Sequence, residues 1–410
     1  MKTLLIVFAS IFGALAAIFT LLFAATFSHA DRRKHKYLRW LDGKKWPLFV
    51  VAIVCYIILA VLNPWKEVVL QPQIETASQN ANSVEQPVVD APITQNTAQI
   101  STDFEHKVTL SDHAGTAWSA DFSSDGMLFS TGSSDGKVRV WETNSWQLKY
   151  ELSGHDKSVN TNVNSVSFSP ESQILVSGGS DKTIRIWSLQ DGSLLQTLNA
   201  HTGISNAPSG SGVISVSFSK DGKWLVSSGF DGSILVWKIS DNWMPFEITK
   251  QSGVIISAIF SPDGKYILSN SNGGGIQFWL NTLEFQADPF RVFYAQKQFI
   301  SLAFSPDGSR FAGAKGDNEI SIWNTQSWDE IKPLTDHENI VSSIFFFTDN
   351  QLVSGSYDNK VKMWNIAEGS SKKITELKEK ITAVSAASDL ETIAVCGKTV
   401  EIWGKRESNL

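Results

Sequence analysis

The sequence predicts an all-β, seven-bladed propeller that follows a transmembrane α-helical hairpin and a polar linker. Three observations support this fold class. A short β-type segment that closes on tryptophan recurs seven times after residue 103. The 410 residues include 15 tryptophans and 28 glycines against four methionines, a composition typical of turn-rich β structure with many aromatic residues. Two long uncharged apolar runs stand near the N-terminus.

The two apolar runs are predicted to be membrane-spanning helices. Thr3 to Phe27 is an uncharged run of 25 residues, long enough to cross a bilayer as a tilted helix. Pro47 to Leu62 has only 16 residues, but Trp46 and Trp65 bracket it as interfacial anchors. These anchors extend the second span to about the 20 residues that a bilayer requires. We therefore expect helices at about 3–27 and 46–65.

The loop between the two runs decides the predicted orientation. Residues 28–45 carry seven lysine and arginine side chains, which favours a cytosolic loop. With both spans retained, the N-terminus and everything after Leu62 lie on the other side, and the propeller is predicted to be extracytoplasmic. The alternative is a cytosolic propeller.

A cleaved signal peptide is a second alternative for the N-terminus. Ser28-His29-Ala30 is an acceptable small-x-small cleavage site after a lysine and an apolar run. The run is longer than a usual signal-peptide core, and cleavage would require translocation of the basic loop against the positive-inside bias. Two retained spans are therefore preferred.

Residues 67–103 are predicted to be a flexible linker that separates the anchor from residues 104–410. From Gln71 to about Asp103 the chain is rich in Gln, Asn, Ser, Thr, Val and Pro and contains no aromatic residue. The net charge of the whole chain is −6, and the excess of acid lies after residue 103. Nucleic acid is therefore not predicted as a partner.

Internal repeats determine the interpretation of residues 104–410. The spacing between successive tryptophans at the segment ends runs from 39 to 50 residues. About 20 residues upstream of each tryptophan lies another alternating strand, usually followed by a tight polar turn such as Ser-Pro-Asp-Gly. Units of several strands with this period match propeller blades, which must stack in a ring to bury both faces of each sheet. The segments are KVRVW at Trp141, TIRIW at Trp187, SILVW at Trp237, GIQFW at Trp279, EISIW at Trp323, KVKMW at Trp364 and TVEIW at Trp403.

This pattern resembles the WD-repeat β-propeller family over about residues 104–410. The family has a hydrogen-bonded tetrad of histidine, serine or threonine, aspartate and tryptophan in each blade. By resemblance, this tetrad would be a structural element rather than a catalytic one, a satisfied polar chain inside the blade. Four blades carry all four residues: His113, Thr131, Asp135 and Trp141; His155, Ser177, Asp181 and Trp187; His201, Ser227, Asp231 and Trp237; and His337, Ser354, Asp358 and Trp364.

Three units depart from the family pattern. The units ending at Trp279 and Trp403 have Gly273 and Gly397 in the aspartate position, and the unit ending at Trp323 lacks the histidine. The last unit also ends too soon after its tryptophan to supply an outermost strand. His106 to Leu110 alternates correctly and lies before the first complete unit, so we expect this segment to supply the missing strand and close the ring.

The sequence offers no constellation for catalysis, and an enzyme is not expected. Two of the seven histidines lie at the membrane loop, four fill tetrad positions, and His106 lies in the closing strand. None is left over for a nucleophilic triad or a metal site, and no common glycine-rich phosphate loop is present. The two cysteines, Cys55 and Cys396, exclude a disulfide framework. No cofactor or metal is therefore predicted.

One face of the propeller is the candidate partner surface. Alignment of the innermost strands places Trp118, Ile214, Ile256 and Ile300 at equivalent positions near the mouth of the central channel, with Asn164, Ser342 and Thr382 in the other three blades. Phe230 and Tyr357 add aromatic rings just before two tetrad aspartates. Long loops at 156–162 and 202–212 are expected at the same face. These aromatic and apolar residues are candidate interaction hot spots, although each could instead pack against a neighbouring blade.

The function predicted from these observations is a membrane-anchored scaffold that presents a propeller as a docking platform for another protein or peptide. The N-terminal hairpin would contact the lipid bilayer. The alternative is a propeller that senses a ligand or peptide and couples through its hairpin to a membrane partner. The identity of the partner is not encoded in any recognisable motif.

Overall fold

The computed structural model describes residues 103–406 apart from short gaps at 156–161, 200, 203–211, 252, 274, 283–285, 287 and 295–296. These residues all belong to the second of the two units into which the chain divides, Asn96–Leu410. The two predicted spans and the linker up to residue 102 lie outside the described residues. Within the described part of the chain, no helix is long and apolar enough to cross a bilayer.

The described residues form seven antiparallel sheets of four strands each, which confirms the predicted seven-bladed propeller. Each blade is a meander whose strands run from the innermost to the outermost position, and blade 7 takes its outermost strand from the N-terminal end of the propeller.

The strands of the first four blades are, in order from the channel outward, β2 (Ala117–Phe122), β3 (Leu128–Ser133), β4 (Lys137–Glu142) and β5 (Leu148–Ser153) in blade 1; β6 (Val163–Phe168), β7 (Ile174–Gly179), β8 (Ile184–Ser188) and β9 (Leu194–Leu198) in blade 2; β10 (Val213–Phe218), β11 (Trp224–Gly229), β12 (Ser233–Lys238) and β13 (Met244–Lys250) in blade 3; and β14 (Ile255–Phe260), β15 (Tyr266–Ser271), β16 (Gly275–Leu280) and β17 (Arg291–Phe293) in blade 4. A single 3₁₀ turn, Ile239–Asp241, joins β12 to β13.

The strands of the last three blades are β18 (Phe299–Phe304), β19 (Arg310–Lys315), β20 (Ile320–Asn324) and β21 (Glu330–Leu334) in blade 5; β22 (Val341–Thr348), β23 (Gln351–Ser356), β24 (Lys360–Asn365) and β25 (Ser370–Glu376) in blade 6; and β26 (Ala383–Ala386), β27 (Thr392–Cys396), β28 (Val400–Lys405) and β1 (Phe104–Leu110) in blade 7.

The apolar core is divided into seven clusters, and each cluster lies between two neighbouring blades. Between blades 1 and 2, for example, Val138 and Val140 of β4 pack with Phe168 and Leu175 of the next blade. The innermost strands of neighbouring blades also contact one another around the whole ring, including β2 with β26. A blade alone would leave both faces of its sheet exposed, so burial of the core depends on the stacking of blades.

Strand β1 closes the ring by pairing antiparallel to β28. Val108 lies opposite Ile402 and Leu110 lies opposite Val400, and the pairing continues to Phe104 opposite Lys405. The closing strand therefore begins two residues before the predicted start at His106. Because β1 precedes blade 1 in the chain and completes blade 7, it ties the two ends of the propeller together and covers the edge of β28.

The tetrads of blades 2, 3 and 6 form complete hydrogen-bonded chains. In blade 2, His155 Nδ1 lies 3.0 Å from Asp181, His155 Nε2 lies 2.8 Å from Ser177 Oγ, and the indole N–H of Trp187 donates to the same Oγ at 2.9 Å. The corresponding contacts in blades 3 and 6 are 2.7 to 3.2 Å long. Each complete tetrad joins the loop before the innermost strand to the second and third strands of its own blade.

The acid of the blade 3 tetrad shows how this environment holds a carboxylate. Burial alone would raise the pKa of Asp231, but hydrogen bonds from His201 and from the backbone N–H groups of Thr202 and Ser233 lower that pKa to about 2. The carboxylate therefore stays charged while it orients the histidine ring.

Blade 1 departs from the predicted tetrad. His113 Nε2 lies 2.7 Å from Thr131 Oγ1, but His113 Nδ1 and the indole N–H of Trp141 find no partner among the described residues. Asp135 instead lies 2.8 Å from the guanidinium of Arg139, which is buried and also lies 3.2 Å from Glu151. Burial and the charge of Arg139 lower the pKa of His113 to about 4. The ion pair thus takes the acid away from the histidine.

The tryptophans of the other three blades are held by different contacts. The Trp279 N–H donates to Ser269 Oγ at 2.8 Å without a histidine. Trp323 stacks on Phe311, with ring centres 5.0 Å apart. The Trp403 N–H donates to Glu401 at 3.2 Å, and the ring of His106 packs edge-on against the Trp403 indole. Aromatic packing therefore replaces the polar chain in blades 5 and 7.

Removal of the closing strand should destabilise the whole propeller. A protein shortened to begin at residue 112 loses β1 and exposes the edge of β28, so we expect it to aggregate or to melt at a lower temperature than a protein that begins at residue 100. Thermal unfolding and size-exclusion chromatography of the two proteins measure the difference. Equal melting temperatures and equal monomer fractions would contradict the closure role of β1.

Asp181→Ala should lower the free energy of unfolding by about 1 to 3 kcal/mol, because it leaves the buried His155 ring without its acceptor. Asp317→Ala is the matched control, since Asp317 occupies the same position in blade 5, where no histidine faces it and the side chain is exposed. For the control we expect a change within about 0.5 kcal/mol. Chemical denaturation measures both values, and equal effects of the two substitutions would show that the histidine contact contributes nothing.

Candidate functional site

The seven residues aligned in the sequence as equivalent positions all line one cavity at the mouth of the central channel. This channel mouth has a volume of about 850 Å³ and receives one such residue from each blade. Phe230 and Tyr357 line the same cavity. The seven residues are Trp118, Asn164, Ile214, Ile256, Ile300 and Ser342 in the innermost strands of blades 1 to 6, and Thr382 directly before the innermost strand of blade 7.

The polar residues of the channel mouth are engaged with neighbouring blades. The side-chain amide of Asn164 donates to Val213 O at 2.8 Å, and the Ser342 hydroxyl donates to Ile381 O at 2.6 Å. The Thr382 hydroxyl donates in the same way to Ala117 O. Each of these acceptors belongs to, or directly precedes, the innermost strand of the next blade. These three side chains therefore fasten the ring.

The apolar residues of the channel mouth are partly open to solvent. Trp118 is 40% exposed, and the three isoleucines are half-buried. Phe230 and Tyr357 are held beside them by a repeated backbone contact, in which the Phe230 N–H donates to Gly212 O at 3.0 Å and the Tyr357 N–H donates to Ile340 O at 2.9 Å. The structure thus brings all six predicted partner-binding residues to one cavity.

A ring of serines that also lines the channel mouth was not anticipated from the sequence. The residue after each aligned position is serine in six blades, and four of these hydroxyls accept a hydrogen bond from a backbone N–H of the next blade at 3.1 to 3.2 Å. The repeated serine in segments such as VNSVSFS and VISVSFS is the sequence signal that could have revealed this ring. These four serines are Ser119, Ser165, Ser301 and Ser343.

Asp121 lies on the innermost strand of blade 1, two residues after Ser119 and therefore on the same face of the strand. Burial raises the pKa of Asp121 to about 7, although the carboxylate accepts a hydrogen bond from the Phe168 N–H of blade 2 at 2.8 Å. This carboxyl group acts as another contact between blades. Within the described residues, no group of three or more His, Cys, Asp or Glu side chains is placed to hold a metal ion.

The long loops predicted at this face fall mostly outside the described residues, at 156–161 and 203–211. Their predicted contribution to a partner surface therefore stays a prediction. Gly212, at the end of the second loop, has a φ of +136° and would clash with the backbone of Ser180 if it carried a Cβ. This glycine lets the chain enter β10 in close contact with blade 2.

The chain is similar to known families of propeller proteins and to several individual proteins. The model for the IFT122 first beta-propeller matches residues 162–410, and the model for the WD domain, G-beta repeat, matches residues 104–142. Protein tipD of Dictyostelium discoideum is 32% identical over 75 residues, which is 18% of this chain and 12% of that protein. Periodic tryptophan protein 2 of Arabidopsis thaliana is 27% identical over 115 residues, 27% of this chain and 13% of that protein.

A third relative, the U3 snoRNP-associated protein-like EMB2271 of Arabidopsis thaliana, is 36% identical over 70 residues, 17% of this chain and 15% of that protein. The matched segments thus span 15% or less of the length of these three relatives. These matches show that the chain shares repeats with the three relatives, and they do not extend over the full length of either protein. Since the first family model covers more than half of the sequence, the chain belongs to the WD-repeat β-propellers, in the family described as the IFT122 first beta-propeller.

Proposed function

We propose that the chain is a membrane-anchored scaffold that docks another protein at the channel mouth of its propeller. WD-repeat propellers commonly serve as protein-interaction platforms. The observation that carries the proposal is the aromatic and apolar lining of this mouth, in which Trp118 is 40% exposed and Tyr357 and Phe230 are half-buried.

The chemistry of the channel mouth suits a protein ligand. Interaction hot spots are typically tryptophan and tyrosine side chains in a concave site with a polar surround. Here the three apolar isoleucines lie on blades 3, 4 and 5, and the aromatic residues lie on blades 1, 3 and 6. The polar members of the ring already have backbone partners, so the apolar ones are the groups left to meet a ligand. We expect no catalytic activity from the channel mouth.

The membrane anchor in the proposal is supported by the sequence alone. The uncharged runs at 3–27 and 47–62, with the basic loop between them, support two spans and an extracytoplasmic propeller. The linker at 67–103 would give the propeller reach from the membrane surface.

A protein partner is preferred to nucleic acid, although one relative is named as U3 snoRNP-associated. That name describes the relative only. The excess of acid in residues 104–410 of this chain disfavours the salt-dependent attraction to phosphates on which nucleic-acid binding depends. The absence of nucleic-acid binding stays a prediction that a direct binding measurement tests.

Protease added to intact cells or spheroplasts should remove the propeller if the basic loop is cytosolic. Immunoblotting against the C-terminal residues measures the loss, and a cytosolic protein detected in the same samples controls for lysis. Protection of the propeller in spheroplasts together with cleavage in inverted vesicles would establish the opposite orientation, with the propeller in the cytosol.

Trp118→Ala and Tyr357→Ala should each weaken the affinity for a partner by at least about 1 kcal/mol, because each removes an aromatic ring that lines the channel mouth. The partner is first identified by crosslinking to the wild-type protein and mass spectrometry, and its dissociation constant is then measured with purified proteins. The melting temperature of both variants should stay near that of the wild type.

Phe290→Ala and Tyr294→Ala provide matched controls, because both rings are exposed but lie near the outer strand of blade 4 rather than at the channel mouth. We expect the controls to bind the partner as the wild type does. If Trp118→Ala and Tyr357→Ala lower stability while the folded fraction binds normally, the two rings pack between blades and the docking surface lies elsewhere.

A further inference from the structure

A basic cleft adjoins the channel mouth where blades 1, 6 and 7 meet. The cleft has a volume of about 690 Å³ and is lined by Trp118, Tyr357, Lys378, Lys380 and Lys398, with Glu379 between two of the lysines. Trp118, Tyr357 and Thr382 line both the cleft and the channel mouth, so the two cavities are continuous. Four separate segments of the chain, in blades 1, 6 and 7, supply the lysines and rings, which explains why no motif in the sequence indicates the cleft.

The three lysines of the basic cleft are exposed and make no ion pair within the described residues. Lysines of the neighbouring blade 6 behave differently. Lys360 Nζ lies 3.0 Å from Glu338, and Lys362 Nζ lies 2.5 Å from Asp336. The lysines of blade 6 are therefore ion-paired, whereas the cleft carries three unpaired lysines against one glutamate and keeps a net positive charge.

The one acid in the basic cleft is already occupied. Glu379 Oε1 accepts hydrogen bonds from the Thr399 N–H at 2.9 Å and from the Thr399 hydroxyl at 3.2 Å. Gly397, which stands in the tetrad aspartate position, lies beside this carboxylate, since a Cβ there would come within 3.1 Å of Oε1. Glu379 thus holds the β27–β28 turn in place of the missing aspartate, and it makes no ion pair with the lysines.

Aromatic rings form the inner wall of the basic cleft. Lys380 Nζ lies 5.0 Å from the centre of the Tyr357 ring, a cation–π contact that positions the ammonium group over the ring while leaving it exposed. Trp118 lies on β2 of blade 1 and lines the same cleft. A ligand that enters the cleft therefore meets ammonium groups outside and apolar surface toward the channel.

We propose that the basic cleft binds an acidic segment of the partner protein, with carboxylate side chains at Lys378, Lys380 and Lys398 and an apolar side chain between Trp118 and Tyr357. The inference rests on the docking function proposed above and names the chemistry of its partner. Complementary charge steers encounter and selects among partners, and the apolar contact supplies a desolvated anchor.

A protein segment fits this arrangement better than a single-stranded nucleic acid. Binding of a nucleic-acid strand needs a positively charged groove that follows the phosphate backbone. The described lining of the channel mouth beyond the basic cleft contains no lysine or arginine, and isoleucines occupy blades 3 to 5. A peptide segment with several carboxylates followed by an apolar residue matches the lysines of the basic cleft and the apolar lining of the adjoining channel mouth.

The test is a selection on the purified full chain with a random dodecapeptide library displayed on phage. We expect the recovered peptides to be net acidic and to contain an aliphatic or aromatic residue. The most enriched peptide, made with a fluorescent label, should lose at least tenfold in affinity when Lys378, Lys380 and Lys398 are all replaced by glutamate. Its binding to the wild-type chain should weaken as salt is raised.

The control variant carries glutamate at Lys220, Lys223 and Lys265, exposed lysines in the hairpin turns at the other end of the innermost strands. It has the same change in net charge, and we expect less than a twofold loss of affinity. Melting temperatures of both triple variants establish that they fold. Equal losses in the two variants, or enrichment of neutral or basic peptides, would overturn the inference.

Two further results separate this inference from the docking function itself. Neutral or basic peptides that lose affinity in Trp118→Ala and Tyr357→Ala would leave the docking function in place and overturn only the acidic partner. An oligouridylate of equal charge that binds the basic cleft more tightly than any selected peptide would overturn both, since it would assign the face to nucleic acid.

Discussion

The structure depends on contact between blades, because a four-stranded sheet with two apolar faces cannot bury either face by itself. Seven apolar clusters lie between neighbouring blades, and hydrogen bonds near the channel reinforce several of these junctions, including those of blade 1 with blades 2 and 7. The ring must therefore close completely, and the junction between blades 7 and 1 is the one that chain continuity does not provide. Strand β1 meets this need by completing blade 7, after which the chain runs directly into blade 1. Closure is thus a covalent tie as well as a sheet contact.

The hydrogen-bonded tetrad is a second stabilising feature, because it joins the strands within a blade. The structure shows that it is not required in every blade. In blades 2, 3 and 6 all four residues of the tetrad are hydrogen-bonded, whereas in blade 1 Asp135 forms an ion pair with Arg139. In blade 5, Gly313 replaces the hydroxyl, and a Cβ at this glycine would clash with the ring of Phe299. The space that the polar chain fills elsewhere is occupied there by packed aromatic rings. A polar chain stabilises a blade only when every member is satisfied, so an aromatic cluster is a workable substitute where one member is missing.

Much of the fold followed from the sequence because it is encoded by local, repeated signals. The strand that closes on tryptophan, the polar turns and the closing strand from His106 to Leu110 all have short-range patterns, and the structure contains each of them. The capture of Asp135 by Arg139 was missed because it depends on a competition between two buried partners of one carboxylate. The basic cleft was missed for a different reason. Its blade 1 residues lie more than 200 residues before those of blades 6 and 7 in the chain, and only closure of the ring brings them together.

The same arrangement separates the groups that hold the ring from the groups that can meet a ligand. The histidines of the complete tetrads, four serines of the serine ring, and Asn164, Ser342 and Thr382 all have partners within the propeller. What remains at this face is apolar surface on one side and ammonium groups without ion pairs on the other. Lysine side chains left without a carboxylate at a packed junction contribute little to stability, since even paired surface charges contribute about 1 kcal/mol or less. Their position is therefore explained better by what they can attract from outside than by any contact they make within the propeller.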